Sequence, residues 1–357
     1  MMSSIHDVCG SVLSHIPGVG SSASPEHGKV LCVGLACLDS IHVVKTFPVE
    51  DTDVRCVSVR LQRGGNASNN CTVLSQLGAP CEFLGTLSKK QYLSVVVDDF
   101  KAYNICINNC IYYEACDAPM SVVIISQTTG SRTIIHSNKN LPELTLDDFK
   151  KLDMSQYSWI HFEGRNVEEV VSMIELVEFW NENHISEHDR GHGLGHKALP
   201  ISIEIEKPRA EMQDLIPWAD VLFIGKDFAE FCGCTNMSET LKKIAQDAKP
   251  NATIISAWGE QGAMARGHDG TVVQSPAFCP HKVLDTLGAG DTFCGAAIFG
   301  LSRGKSLQDS IILGCQIAGI KKLISEISRK ETGQKKSLQG AHQKEDEYNL
   351  AKEQETI

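Results

Sequence analysis

The stretch Val283–Leu301, VLDTLGAGDTFCGAAIFGL, places Asp291 directly after Gly288, Ala289 and Gly290 and directly before a run that is small or apolar on most sides. Residues Thr292 to Ile298 therefore read as a helix buried all round. A Gly-Ala-Gly loop at its N-terminus lets main-chain N–H groups approach a ligand without Cβ obstruction. The first helical turn also leaves its N–H groups unpaired and electropositive. Together these make an anion site, suited to nucleotide phosphates or to a phosphoryl group in transfer. Bound phosphate would repel a carboxylate there unless the carboxylate had a task, and accepting the proton of an attacking hydroxyl is one. Capping the helix is the other reading of Asp291, and this segment by itself does not choose between them.

A second glycine element lies far upstream, in Arg63-Gly64-Gly65-Asn66-Ala67-Ser68-Asn69-Asn70. Two glycines close a strand, and a helix follows with Val73, Leu74 and Leu77 on one face, stopping at Gly78 before Pro80. Asn66 and Asn69 are three residues apart, so on a first helical turn both amides face one ligand. Amides both donate and accept, as sugar hydroxyls require; a glycine turn with asparagine capping is the plainer alternative. Asp39 follows the apolar run Val30–Leu35. At the end of a buried parallel strand it would sit where open α/β sheets hold their ligands; otherwise it is a loop aspartate.

The rest of the chain supplies the frame. VRCVSVRLQRGG alternates like a half-exposed antiparallel strand, and SVVIISQTTGSRTIIHS holds two β-rich runs around Thr-Thr-Gly, a hairpin signal. From about residue 145 strands and helices alternate. WIHFEG, ISIEIE, VLFIG and TIISAW are short β-branched runs separated by helical segments, which predicts a mostly parallel sheet carrying helices. NVEEVVSMIELVEFW is one such helix, with Asn166 and Glu169 spaced as a capping box. The expected fold is α/β, one core with a small β lid. Residues 1–28, rich in Ser, Gly and His without periodicity, read as a leader, and the charged residues 320–357 as a tail.

Composition narrows the function classes. With 357 residues, a formal charge of -11 and no apolar run near membrane-spanning length, the chain reads neither as a general nucleic-acid binder nor as a membrane protein. Fourteen cysteines are scattered behind an N-terminus that lacks a basic, apolar leader, which predicts free thiols and a cytoplasmic setting. The pairs Cys232/Cys234 and Cys106/Cys110 lack the second ligand pair of a structural zinc site and read as small buried hydrophobes. His184, His188, His192 and His196 recur every four residues, but Gly191, Gly193 and Gly195 break any helix there, so the segment reads as a surface loop.

The two glycine elements, taken with Asp39 in this order, resemble the signatures of the ribokinase-like, pfkB-type carbohydrate kinases. The N-terminal element is Gly64-Gly65-Asn66-Ala67-Ser68-Asn69, and the C-terminal one is Asp285-Thr286-Leu287-Gly288-Ala289-Gly290-Asp291. LCVGLACLD, GSRTIIHSNKNLP, WIHFEGRN and IEIEKPR extend the likeness, over about residues 29–319, to the branch that phosphorylates fructose at its 1-hydroxyl. The resemblance implies a three-layer αβα sandwich with a mostly parallel central sheet, and a lid formed by about residues 40–63 and 105–137 that pairs two subunits into a homodimer. It implies ATP, Mg2+ and a possible K+ as cofactors. On the matching positions Asp39, Gly65, Asn66 and Asn69 bind the sugar, and Asp291 is the base. Arg132, Gly288, Ala289 and Gly290 serve the nucleotide phosphates, with the turn Gly259-Glu260-Gln261-Gly262 beside the nucleotide.

Three departures stand out. The family's Asn-x-x-Glu element, which organises magnesium, is replaced by Lys226-Asp227-Phe228-Ala229-Glu230, so no metal ligand is named. The His-rich stretch is an insertion. After GCQIAG the chain runs Ile320-Lys321-Lys322 instead of the usual glycine loop that closes the nucleotide and monovalent-cation sites. That ending leaves a sugar-binding pseudokinase as an alternative, beside a ribokinase or nucleoside kinase. A dinucleotide dehydrogenase fits less well, because Phe293 stands where G-x-G-x-x-G has its third glycine.

Overall fold

The apolar runs become strands buried on both faces, and the patterned segments between them become the helices that cover the sheet. A computed structural model describes residues 28–90, 92–184, 198–278 and 287–319. The leader, the histidines at 188, 192 and 196, Asp285, Thr286 and the tail lie outside the described residues. In chain order the strands are β1 (Lys29–Val33), β2 (Cys37–Val44), β3 (Ser58–Gly64), β4 (Cys81–Leu84), β5 (Thr86–Ser88), β6 (Ile111–Tyr113), β7 (Met120–Ser126), β8 (Arg132–Ser137), β9 (Tyr157–Glu163), β10 (Ile201–Ile205), β11 (Val221–Gly225), β12 (Thr253–Ala257), β13 (Ala263–Arg266) and β14 (Val272–Ser275). The helices used below are α1 (Asn66–Gln76), α2 (Leu93–Ala102), α3 (Leu146–Phe149), α4 (Val167–His184), α5 (Lys226–Phe231), α6 (Met237–Asp247) and α7 (Ala289–Ser302).

The main sheet has eight strands in the order β14-β13-β12-β11-β10-β9-β1-β4. β12 through β4 are parallel, and β13 and β14 are antiparallel. Successive side chains of β1 go to opposite layers, as strand geometry requires. Val30 and Cys32 join the core of α1, α2 and α7, while Leu31 and Val33 join that of α4 and α6. This is the expected αβα sandwich. No helix among the described residues is long and apolar enough to cross a membrane.

The lid is a separate four-stranded sheet, β3-β2-β7-β8. β7 and β8 form the expected hairpin, but β2 and β7 run parallel, which joins two antiparallel halves. The lid is narrower than expected, because residues near 105–113 belong elsewhere: β6 pairs with β5 beside the main sheet. Asp39 also departs from expectation. β1 ends at Val33, and Gly34 turns the chain so tightly past Glu163 that a Cβ on it would lie 2.7 Å from the Glu163 Cβ. The chain thereby enters the lid, and Asp39 is the third residue of β2, not a residue of the loop after β1.

Two smaller expectations are corrected. Asn166 and Glu169 form no capping box; the Asn166 amide donates to the Leu144 carbonyl, and the Glu169 carboxylate accepts from the Leu146 N–H at the start of α3. The orphan N–H of a neighbouring helix thus takes the carboxylate that would otherwise cap its own. The described cysteines carry free thiols; Cys110 and Cys234 are buried as expected, whereas Cys106 and Cys232 are only half-buried.

The glycine pair between lid and core is sterically required. Gly65 has φ 102, and a Cβ there would lie 2.2 Å from the Leu35 carbonyl oxygen; one on Gly64 would lie 2.1 Å from Asp39 Oδ2. Substituting Gly65 with Ala is expected to cost about 2–4 kcal/mol, since both backbone strain and a main-chain clash must be accommodated. Equilibrium urea unfolding measures this, and a loss below about 0.5 kcal/mol, the scale of an ordinary surface substitution, would contradict it.

Candidate active site

The two glycine elements are docked on each other. The Asn69 amide donates to Asp291 Oδ2 at 2.7 Å, and the Asn70 amide donates to the Asp291 main-chain carbonyl at 2.9 Å. Behind them Gly295 admits α1 closely: a Cβ on it would lie 2.9 Å from the Val73 Cβ. The N-cap of α7 is Gly288, left-handed at φ 67, with no side chain capping it. Asp291 is therefore not the cap. It occupies the first turn, 7% exposed, with its carboxylate turned across to α1. A Cβ on Gly290 would meet only open space, so the backbone at this position is unobstructed on that side, and Gly290 lines the cavity.

The asparagines of α1 are not caps either, since the N-cap is Gly65, which has no side chain to cap with. Asn66 instead donates to Glu206 Oε2 at 2.7 Å and, more weakly, to Glu204 Oε1 at 3.4 Å. Ser68 steadies the turn by donating to the Gly64 carbonyl at 2.8 Å.

Sequence reasoning missed the carboxylates beneath these amides. Glu163 Oε2 accepts from the Leu35 N–H at 2.9 Å and the Ala67 N–H at 3.3 Å, joining the end of β1 to the start of α1. Its other oxygen lies 3.5 Å from Arg165, which also pairs with Glu143 at 2.5 Å. Burial, followed by the charges of Glu206 and Glu163, pushes Glu204 up to about 8. Burial also raises Glu206, but Lys207 at 3.0 Å and the Asn66 amide outweigh it and hold Glu206 below its ordinary value. Glu204 Oε2 and His161 Nε2 are buried without partners and face each other at 3.9 Å. Burial pushes His161 down to about 4, so the pair is not an ion pair at neutral pH. The visible signal was ISIEIE: Glu204 within a strand buried throughout, with Glu206 just past its end, needs an internal reason.

One ligand oxygen from each of Glu204, Glu206 and Asp291 falls within 4.8 Å of the others. Hard oxygen donors at that spacing, one with an unpartnered buried oxygen, fit a magnesium ion. These residues would hold it next to the anion loop, where its charge would offset that of a bound phosphate.

A cavity of about 810 Å³ opens over this floor, within the size range of ligand sites. Asp39, Gly65, Asn66, Asn69, Arg132, Gly288, Gly290 and Asp291 all line it. Ala289 and the turn Gly259-Glu260-Gln261-Gly262 do not; that turn lies just past Ala257, which does. Gly262 has a packing reason of its own, since a Cβ on it would lie 2.1 Å from the Ser275 carbonyl oxygen of β14. Burial raises Asp39 above its ordinary value, against the nearby Ser121 side chain and the Cys37 thiol, which donates to it. A hydroxyl-rich acceptor placed among Asp39, Asn66 and Asn69 would have Asp291 beside it and main-chain dipoles beyond.

This fold and floor define a class. The profile of the pfkB family carbohydrate kinases matches residues 27–323, and the chain belongs to that family. It is 44% identical to the ketohexokinase of Mus musculus over 296 residues, which cover 83% of this chain and 96% of the mouse protein. Among solved structures it is similar to a putative ribokinase from Agrobacterium tumefaciens, with TM-score 0.68 and 18% identity over 83% of this chain and 92% of the other. It is also similar to the Arabidopsis thaliana ribokinase complexed with ribose and ATP, with TM-score 0.65 and 16% identity over 82% and 92%.

The protonation of Glu204 has a thermodynamic signature. Its folded value, about 8, lies above the ordinary 4.5, so the folded state keeps a proton that the unfolded chain releases. The associated stability is present below about pH 4.5 and is lost as pH rises through about 8. Glu204→Gln cannot ionise and should hold its Tm over that window, in chelator-containing buffer, better than the unsubstituted protein does. Parallel Tm curves from pH 5.5 to 8.5 would contradict the assignment.

Proposed function

We propose that the chain acts as a ketohexokinase, transferring the γ-phosphoryl group of ATP to the 1-hydroxyl of fructose. The observation that carries the site reading is the junction of Asn69 with Asp291, which brings amides suited to a sugar and a carboxylate suited to a proton to one point at the mouth of the anion loop. The likeness to the mouse enzyme along nearly its whole length supplies the acceptor.

The chemistry follows from these groups. A sugar hydroxyl is a poor nucleophile until its proton has an acceptor, and Asp291, oriented by Asn69, is the base. Asp39, Asn66 and Asn69 hold the ketose with its 1-hydroxyl toward Asp291. Negative charge on the moving phosphoryl group is met by the N–H groups of residues 288–290 and by Arg132 from β8, whose fork suits phosphate oxygens. Magnesium, held by Glu206, Asp291 and a Glu204 that would give up its proton to the ion, would add charge neutralisation on the phosphates.

The homodimer belongs to the same proposal. Strand alternation puts Asp39 and Ile41 on the inner face of the lid, where Asp39 lines the cavity, and Leu61, Val59 and Ile135 on the opposite face. Those three are 46%, 56% and 60% exposed, an apolar surface that a second copy would cover.

Coupled ADP release on full-length protein, with fructose, ribose and adenosine as acceptors and NMR of the product, tests the reading. Fructose-dependent release with phosphate on C1 is expected. Turnover of ribose or adenosine in place of fructose, or fructose binding without ADP release, would overturn it. Asp291→Asn should lower kcat by at least about a thousandfold while leaving the fructose Kd within about threefold. Near-normal turnover in that variant would remove Asp291 from the role.

A further inference from the structure

The lid strands carry a polar row that the reaction as described uses only in part. The parallel register of β2 and β7 sets Asp39 beside Ser121, and the antiparallel register of β7 and β8 sets Ser121 beside His136. All three line the cavity. Ser121 Oγ lies 3.1 Å from His136 Nδ1 and 3.8 Å from Cys37 Sγ, and that thiol donates to Asp39 Oδ1 at 3.5 Å. Ser121 is thus placed next to the Asp39 carboxylate, where its side chain works against the burial that raises Asp39.

The next row along the strands is apolar. Ile41, Val123 and Ile134 stand in register, and the first two join a cluster with Leu287, the residue before the anion loop. Beyond it Arg132 stands opposite Ile125. One face of β8 therefore presents Arg132, Ile134 and His136 in turn. At roughly 3.3 Å per residue, the backbone positions of Arg132 and His136 are about 13 Å apart along the strand. Arg132 lies toward the phosphates in the reading above, so His136 lies toward the ketose, at the level of Asp39.

We infer that His136 is a recognition residue for the acceptor sugar: its Nδ1 anchors Ser121, its Nε2 meets a hydroxyl of the bound ketose, and the row it ends fixes the Asp39 carboxylate. The inference rests on the reading of Asp39 as a sugar-binding group. It makes one lid strand serve both substrates, with an apolar step between them.

Proton direction along the row gives the idea a pH dependence. With neutral His136, Nδ1 accepts from the Ser121 hydroxyl and Asp39 keeps its lone pairs for the sugar. Once the imidazole is protonated, Nδ1 must donate, and the Ser121 proton swings to Asp39, taking acceptor capacity the ketose needs. The groups facing His136 are Asp39 and Glu163, which favour its charge, and Arg165 and Lys207, which oppose it. His136 is exposed on β8, yet partial desolvation against the lid, then Arg165, hold it below its usual 6.5. The neutral form is therefore the working one at neutral pH, and fructose affinity should fall on acidification.

The test measures kcat and KM for fructose and for ATP between pH 5 and 8, in the full chain and in His136→Leu and His136→Gln. The Leu variant is expected to raise the fructose KM about five- to tenfold, the size of one or two lost hydrogen bonds, with the ATP KM within about twofold. Gln, which keeps donor and acceptor, should recover most of the loss. The acid-side rise in fructose KM should be shallower in both variants, leaving only the part due to Asp39. An unchanged fructose KM, or fructose and ATP KM values rising together, would overturn the inference while leaving the proposed reaction standing. If unsubstituted protein neither binds nor phosphorylates fructose, the reaction falls and the inference with it. Should His136→Leu not fold, Ser121→Ala decides: a raised fructose KM supports the row, and an unchanged one overturns it.

Discussion

The structure depends on the contact between the first turns of α1 and α7. Residues 222 apart in sequence, Asn69 and Asp291, share one hydrogen bond, while Asn70 secures the Asp291 main chain and Gly295 lets the helices close. Both first turns line the same cavity. The contact therefore does two things at once: it aims a carboxylate, and it sets the positive ends of two helices around one opening. Moving either helix by an ångström would separate the proposed base from the amides proposed to hold the sugar, a displacement to which positioning catalysis is sensitive.

Under this contact lies a costly arrangement. Glu163, Glu204 and Glu206 are drawn together below Asn66, and the charge of Glu206 is offset by Lys207 and an amide. Glu204 keeps a proton, and its free oxygen faces an equally unpartnered imidazole nitrogen. A core selected for stability alone would replace these groups with apolar ones. Their place beside the anion loop fits a cation that they would hold there to offset phosphate charge.

Much of this was legible in the sequence, for definite reasons. Parallel strands buried on both faces must be continuously apolar, so β1, β9, β10, β11 and β12 stood out as runs, and the glycines around residues 65 and 289 marked backbone that had to come close to something. Legibility failed where identity depends on a long-range partner. Asp39 was placed after a strand because the turn at Gly34 is set by Glu163, 129 residues away in sequence. Asn166 and Glu169 had the spacing of a capping box, yet the neighbouring segment 144–146 claimed both side chains. Ser121 and His136 looked like ordinary hairpin residues until the parallel pairing of β2 with β7, which no local pattern announces, brought them into line with Asp39.

The central claim is geometric, and a crystal structure of the protein with fructose and a non-hydrolysable ATP analogue tests it most directly. The account predicts the terminal phosphate within hydrogen-bond distance of the main-chain N–H groups at residues 288–290, and the fructose 1-hydroxyl between that phosphate and the Asp291 carboxylate. A terminal phosphate bound away from the start of α7, or a ketose whose 1-hydroxyl points away from Asp291, would contradict it.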